Sequence, residues 1–309
     1  MKKTEKLDVL ENWYQVVDWY IRPHDGGKVY SDIKKFEGLN ELEDYRNSGV
    51  YHMADIPYSV KEINPESYEE DPYLAFAKAY SDAVYSSVKE GNIFLAVGSY
   101  CTHVPSILGG IQRAVGREKK IGVIWLDAHA DNYICETTKE TCLRLIGVPM
   151  SVFLGKTMPE WQEAAGLILP IEGEYVLAAD IRYRDEETDC NLNDSKVHLV
   201  TQTEFQNAVA WREKVNELSE RTDAIFLHVD ADILHHSYLP AYEYDVKNGN
   251  NLDIVLNNIK AVMDTGKVLG ASVMCVGFEN KEDRLRDVNN MNGIRLVSGV
   301  LRNWKEQPD

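Results

Sequence analysis

The sequence predicts an α/β fold in three layers (α/β/α), with a mostly parallel central sheet covered by helices on both faces. Two observations predict it. Apolar runs of strand length recur along the chain, and segments of helical periodicity separate several of them. The runs are continuously apolar rather than alternating, which is the pattern of strands buried on both faces.

Taken in order, residues 1–70 resist assignment, being aromatic-rich with Gly26-Gly27 and short polar breaks. Asp71-Pro72 followed by an amphipathic run through Val88 predicts a helix, because an acidic residue suits the cap and the fixed φ of proline suits the first turn. Strands are expected at Ile93–Val97, Ile121–Leu126, Tyr175–Ala179, Val197–Thr201, Ala224–Val229 and Val268–Val276. Helices are expected at Glu204–Glu220, Leu252–Met263 and Met291–Trp304. No repeat, low-complexity tract or linker interrupts the pattern, so residues 1–309 read as a single domain. At 309 residues and 44% hydrophobic content the chain can bury a full core.

Composition removes several function classes. The formal net charge of −17 argues against a nucleic-acid partner, since phosphate binding needs a basic footprint. No apolar run is long enough to span a membrane. The N-terminus, Met1-Lys2-Lys3-Thr4, lacks the apolar core of a signal peptide, and a cytoplasmic location is expected. The five cysteines, Cys101, Cys135, Cys142, Cys190 and Cys275, are odd in number and form no Cys-x-x-Cys pair, which is compatible with reduced thiols.

Two segments carry chemistry. In Ile121-Gly-Val-Ile-Trp-Leu-Asp127-Ala-His129-Ala-Asp131 an apolar run ends in three metal-type ligands at alternate positions. Side chains two apart on extended backbone point the same way, so these three can converge beyond the strand. Two carboxylates and an imidazole suit a divalent ion such as manganese, iron or zinc. In Ala224-Ile-Phe-Leu-His-Val-Asp230-Ala-Asp232 a second apolar run ends in two aspartates on one face. Two strand ends with five possible ligands resemble a site in which a shared aspartate spans two ions. The plain alternative is two unrelated acidic strand ends. In parallel sheets ligands bind beyond the carboxyl ends of strands, where both segments fall.

Upstream, Val97-Gly98-Ser99-Tyr100-Cys101-Thr102-His103 resembles a glycine–glycine–x–histidine loop. With Asp127-Ala-His129-Ala-Asp131 and Asp230-Ala-Asp232 it is similar in order and spacing to the arginase–agmatinase–formimidoylglutamase (ureohydrolase) superfamily. The resemblance implies the family's arginase-like fold, two manganese ions, a trimer or hexamer, and a small-molecule substrate. It implies cleavage of a C–N bond in a guanidino, amidino or formimino compound by a metal-bridging hydroxide. Carried over by position, Asp127 and Asp230 would bridge the ions, and His129 and Asp232 would complete one of them. Asp131 and a ligand from the 98–103 loop would complete the other, and Asp131 would also take up a proton as the tetrahedral species collapses.

The chain departs from the family pattern at several positions. A gap-free match puts Cys101 at the usual histidine, whereas His103 requires a two-residue shift; a loop without a ligand is a third option. A thiolate there would favour zinc or iron. Ile146, before Gly147-Val148-Pro149, stands where arginases and agmatinases carry a shuttle histidine. Asn132 and Glu136-Thr137-Thr138 look like the substrate-facing loop, and Glu186 follows another strand end where the family contacts substrate. Gly277 takes the place of the guanidinium-clasping glutamate, but a two-residue slip keeps the face of a side chain and makes Glu279 a substitute. Arg182 and Arg184 are read as salt-bridge scaffolding, and the adjacent His235-His236 as loop residues. The missing shuttle and displaced glutamate motivate the alternative of a non-catalytic arginase-fold protein with a structural or ligand-sensing role.

Overall fold

Eight strands hydrogen-bond into one all-parallel sheet in the computed structural model, which describes residues 7–12, 14–16, 21–23, 58–68, 71–97, 100–135, 145–240, 248–275 and 283–305. The chain runs through β1 (Leu7–Asn12), an antiparallel pair β2 (Tyr14–Val16) and β3 (Ile21–Pro23), β4 (Tyr58–Ile63), α1 (Pro72–Lys89), β5 (Ile93–Val97), α2 (Val104–Val115) and β6 (Ile121–Leu126). It continues through α3 (Pro149–Phe153), α4 (Pro159–Ala164), β7 (Val176–Ala179), α5 (Glu186–Ser195), β8 (His198–Val200), α6 (Gln202–Gln206) and α7 (Ala208–Arg221). The last elements are β9 (Ala224–Asp230), α8 (Leu252–Met263), β10 (Val268–Met274) and α9 (Asp283–Lys305). Across the sheet the order is β4-β1-β5-β10-β9-β6-β7-β8.

Alternate residues of each central strand feed two separate cores, as the period of two requires. On one face Leu126, Leu227 and Val229 pack with Trp211, Ile259 and Leu301 from α7, α8 and α9. On the other, Phe94, Trp125 and Phe226 pack with Phe76, Ile107 and Phe153 from α1, α2 and α3. Each large apolar side chain buried this way contributes about 1.5–3 kcal/mol. Helices therefore cover both faces of the sheet, the layering anticipated from periodicity.

Two expectations need correction. The single helix expected at 204–220 is two helices, α6 and α7, hinged at Asn207 (φ −92°, ψ 104°). The Asn207 side chain accepts from the N–H groups of Val209 and Ala210 at 3.1 and 3.3 Å, so it caps a new helix rather than continuing the old one. Reduced thiols are found at Cys101, Cys190 and Cys275, but Cys135 is disulfide-bonded. Among the described residues no helix is long and apolar enough to cross a membrane.

Among the described residues of the sheet, Gly270 is a position where only hydrogen fits. Gly270 of β10 lies beside Phe94 of β5, and a Cβ at 270 would sit 2.1–2.5 Å from the phenyl ring. Gly270→Ala is expected to destabilise the fold by about 1–3 kcal/mol through overpacking. A lower urea midpoint with unchanged denaturant slope would register it; an unchanged midpoint would mean the ring yields freely.

Candidate metal centre

β6 and β9 pair in register, Leu126 opposite Val229, so Asp127 and Asp230 leave the sheet at the same level. Both are buried, at 1% and 3% exposure, and Asp232 is buried beside them. Each carboxylate spends one oxygen on holding the loops. Asp127 Oδ1 accepts from the His129 N–H at 2.6 Å, Asp230 Oδ1 from the Asp232 N–H at 3.0 Å, and Asp232 Oδ1 from the Ala128 N–H at 2.9 Å. His129 Nδ1 lies 2.9 Å from Asp232 Oδ2 and 3.6 Å from Asp127 Oδ1. The Cys101 thiol donates to Asp131 Oδ2 at 2.7 Å and approaches Ile146 O at 3.3 Å. Cys275, just past β10, hydrogen-bonds Asp230 through its thiol.

The backbone turns sharply around these groups, with strain at Cys275. Asp131 (φ 46°), Asp180 (φ 60°) and Cys275 (φ 56°) all adopt the left-handed region that L-residues other than Asn and Asp seldom occupy. Arg182 fastens one wall: it pairs with Asp180 and donates to Asp232 O at 2.6 Å, while Asn250 Nδ2 donates to the same Asp180 carboxylate at 2.5 Å.

Packing so many acids out of water has electrostatic consequences. Burial, then the charge of Asp232, pushes Asp127 up to about 7. Burial also holds Asp131 and Asp230 well above the usual carboxylate range, reinforced by Asp127 and Asp232 respectively. Burial opposes a charge on His129, yet hydrogen bonds to Asp127 and Asp232 outweigh it and carry the imidazole up to about 12. Burial alone would raise Asp232, but its hydrogen bond from His129 and the imidazolium charge hold it below its ordinary value. Protons thus stand where cations are called for.

Among the described residues two groups of ligand atoms lie within 4.8 Å of one another: Asp127, His129 and Asp232, and Asp127, His228 and Asp230. Asp127 is common to both. Its Oδ2 and His228 Nε2 are buried polar atoms without a hydrogen-bond partner. Carboxylate and imidazole donors with unspent lone pairs fit a divalent cation. His228 was absent from the sequence-based ligand set, although it stands two residues before Asp230 and so shares its face, by the same alternation that linked Asp127 to His129.

The other residues named from sequence have varied placements. His103 is buried between helices, stacked on Tyr80 at 4.9 Å and against Phe76 at 5.1 Å, whereas Cys101 of the same turn reaches Asp131. Asn132 is buried; its amide donates to Thr188 O at 3.0 Å, tying the loop to α5. Glu186 is exposed in the first turn of α5. Arg184 pairs with Asp189, and the rings of His235 and His236 sit 4.1 Å apart in an exposed 3-10 turn. Glu136, Gly277 and Glu279 lie outside the described residues.

The chain can now be set beside known proteins. It is 26% identical over 225 residues to an arginase from Bacillus caldovelox, covering 70% of this chain and 73% of that protein. It superposes on the crystal structure of arginase from Bacillus cereus with a TM-score of 0.72 at 18% identity, covering 96% of this chain and 98% of that one. Formimidoylglutamase from Bacillus subtilis superposes with a TM-score of 0.66 at 18% identity over 83% of this chain and 74% of that one. The family described as "Arginase family" matches residues 30–285, most of the sequence. On this match, and with the all-parallel sheet and the acidic cluster at the carboxyl ends of its central strands, the chain belongs to the arginase family.

Proposed function

We propose that the chain is a two-metal hydrolase that cleaves a C–N bond in a guanidino, amidino or formimino compound. The observation that carries this reading is Asp127, one buried carboxylate shared by two convergent ligand groups. The relatives named arginase and formimidoylglutamase supply the substrate class. Asp127 and Asp230 would each serve both ions, His129 and Asp232 would complete one of them, and Asp131 with a ligand from the 98–103 loop would complete the other. Manganese is the proposed ion, with zinc or iron favoured if the Cys101 thiol ligates. A homo-oligomer, trimer or hexamer, is the assembly proposed from the family resemblance.

When bound, the two ions supply Lewis acidity and lower the pKa of water towards neutrality. The protein's own residues arrange everything else. The Asp127 and Asp230 carboxylates offset the repulsion between two dications. Arg182, by gripping the Asp232 carbonyl and pairing with Asp180, fixes the loop that carries Asp232. Asp131 Oδ2, within hydrogen-bond reach of the Cys101 thiol, is the proposed proton carrier: it takes the proton from the attacking oxygen and hands it to the leaving nitrogen as the C–N bond breaks. Asn132, Glu136, Glu186 and Glu279 are the proposed substrate-side groups, with Glu279 taking the amidinium.

The test combines elemental analysis of the purified protein with urea and ammonia detection over a panel of guanidino, amidino and formimino compounds. About two divalent ions per chain and turnover of a panel member are expected. Two ions without turnover of any member would instead favour a non-catalytic arginase-fold protein. Absence of metal after incubation with manganese, iron and zinc would remove the reading.

A further inference from the structure

We propose that His228 is itself a metal ligand through Nε2, and that Ser272 Oγ is the positioning group for its ring. This rests on the two-metal reading above and adds a residue that reading does not use. Three adjacent strands set the geometry. Trp125 of β6, His228 of β9 and Ser272 of β10 stand in register, side by side across the sheet. Trp125 packs on the imidazole with ring centroids 4.2 Å apart, and the ring is fully buried. Nδ1 sits 2.8 Å from Ser272 Oγ, so one nitrogen is committed to a neighbour strand. The other points along the direction of the chain towards the acids, with Nε2 3.9 Å from Asp127 Oδ2.

That gap is informative. It is too wide for a hydrogen bond yet shorter than two metal–ligand bonds of about 2.1 Å end to end, so one ion can touch both atoms. Both atoms facing across it are buried without a partner. A core imidazole kept only for packing would satisfy both nitrogens, as buried polar groups almost always do. With Nδ1–H donated to Ser272 the Nε2 lone pair is free, and a carboxylate oxygen opposite a lone pair is repulsive unless a cation lies between. The arrangement is that of a ligating histidine whose second nitrogen is held by an outer group. Asp230, two residues along the same strand face, offers the third ligand atom of the set. An additional imidazole makes the donor set richer in nitrogen and shifts its preference from manganese towards cobalt, iron or zinc.

The experiment uses cobalt(II) as the probe on the full chain, with three readouts: ions bound per chain, affinity by chelator competition, and the number of imidazoles in the metal shell by X-ray absorption. His228→Phe fills the space against Trp125 without a nitrogen, and Ser272→Ala keeps the imidazole but loosens it. The expected result is loss of one ion, or at least about 100-fold weaker binding of it, with one imidazole fewer in His228→Phe, and about 10–100-fold weaker binding in Ser272→Ala. Wild-type affinity and an unchanged imidazole count in a folded His228→Phe would overturn the proposal. Should that variant fail to fold, Ser272→Ala decides it, unchanged affinity counting against a positioning role and against ligation together. Wild-type protein that takes up no cobalt would overturn the two-metal reading itself, an outcome distinct from two ions held without His228.

Discussion

Asp127→Asn is expected to lose both ions together, whereas Asp232→Asn loses one. Asp127 alone belongs to both ligand groups, and its Oδ2 has no other partner to keep it in place. An asparagine amide occupies the same volume and can still accept from the His129 N–H that Asp127 Oδ1 holds at 2.6 Å. The loop is thus retained while the charge that offsets two dications is removed. Hydrolysis of the substrate identified from the panel should fall about 10³-fold or more, the scale of losing metal-based transition-state stabilisation. A second signature separates this from misfolding. Because the fold holds the Asp127 carboxyl at a cost, with its pKa at about 7, the metal-free variant at pH 8 should be at least as stable as metal-free wild type. Elemental analysis that still finds two ions in Asp127→Asn would remove Asp127 from its shared role.

Much of this centre can be read from the sequence, and the parts that cannot have identifiable causes. β6 and β9 are legible because every residue of Ile121–Leu126 and Ala224–Asp230 is buried, which leaves an unbroken apolar signal up to the first acid. β1 and β4 are not. β1 carries Asp8, fully buried, with Oδ2 held by Asn92 at 2.9 Å and Lys61 at 3.4 Å from other strands or turns. A polar residue paid for by distant partners looks, in one dimension, like a loop. The Asn207 break was invisible for the opposite reason: periodicity continues through it, and only the side-chain cap marks the boundary. Among site residues, His228 is hard to recognise because it lies inside the apolar run rather than beyond it, where a histidine reads as core. The competition between Cys101 and His103 could not be decided from spacing, since a short 3-10 turn sends the two side chains to different places: one to Asp131, the other to Tyr80.

Chelation is expected to destabilise the protein more at pH 8 than at pH 6. In the metal-free state Asp127 rises from its ordinary 3.8 to about 7, and Asp180, pushed up by burial, reaches about 6. A folded-state pKa above the unfolded one means that the unfolded chain releases its proton first. Stability therefore falls as pH rises between the two values and stays lost above them. At about 1.4 kcal/mol per pH unit, Asp127 by itself costs the metal-free fold on the order of 4 kcal/mol by neutral pH. His129 continues the trend: its stabilising proton is fully held below pH 6.5 and is lost as pH climbs towards about 12. His228, which burial pushes down to about 3, and His198, lowered first by burial, run the other way and offset part of this fall up to their unfolded value of 6.5. Carboxylates held low act elsewhere. Asp185, stabilised first by the Thr188 N–H, and Glu204, by the Thr201 hydroxyl, contribute above their unfolded values and lose that contribution only in acid. Between pH 5 and 8 they are level. Bound cations take the place of the protons, so affinity rises with pH as protons are displaced. Metal at about 1,000 times its Kd adds about 4 kcal/mol. For a chain of this size that is a melting shift on the order of 10 °C. Thermal unfolding with chelator and with saturating manganese, at both pH values, should give a gap that widens with pH. A gap that is constant or narrows would mean that the carboxylates of the cluster are already ionised without metal, and that the acids at the carboxyl ends of the central strands do not exchange protons for cations.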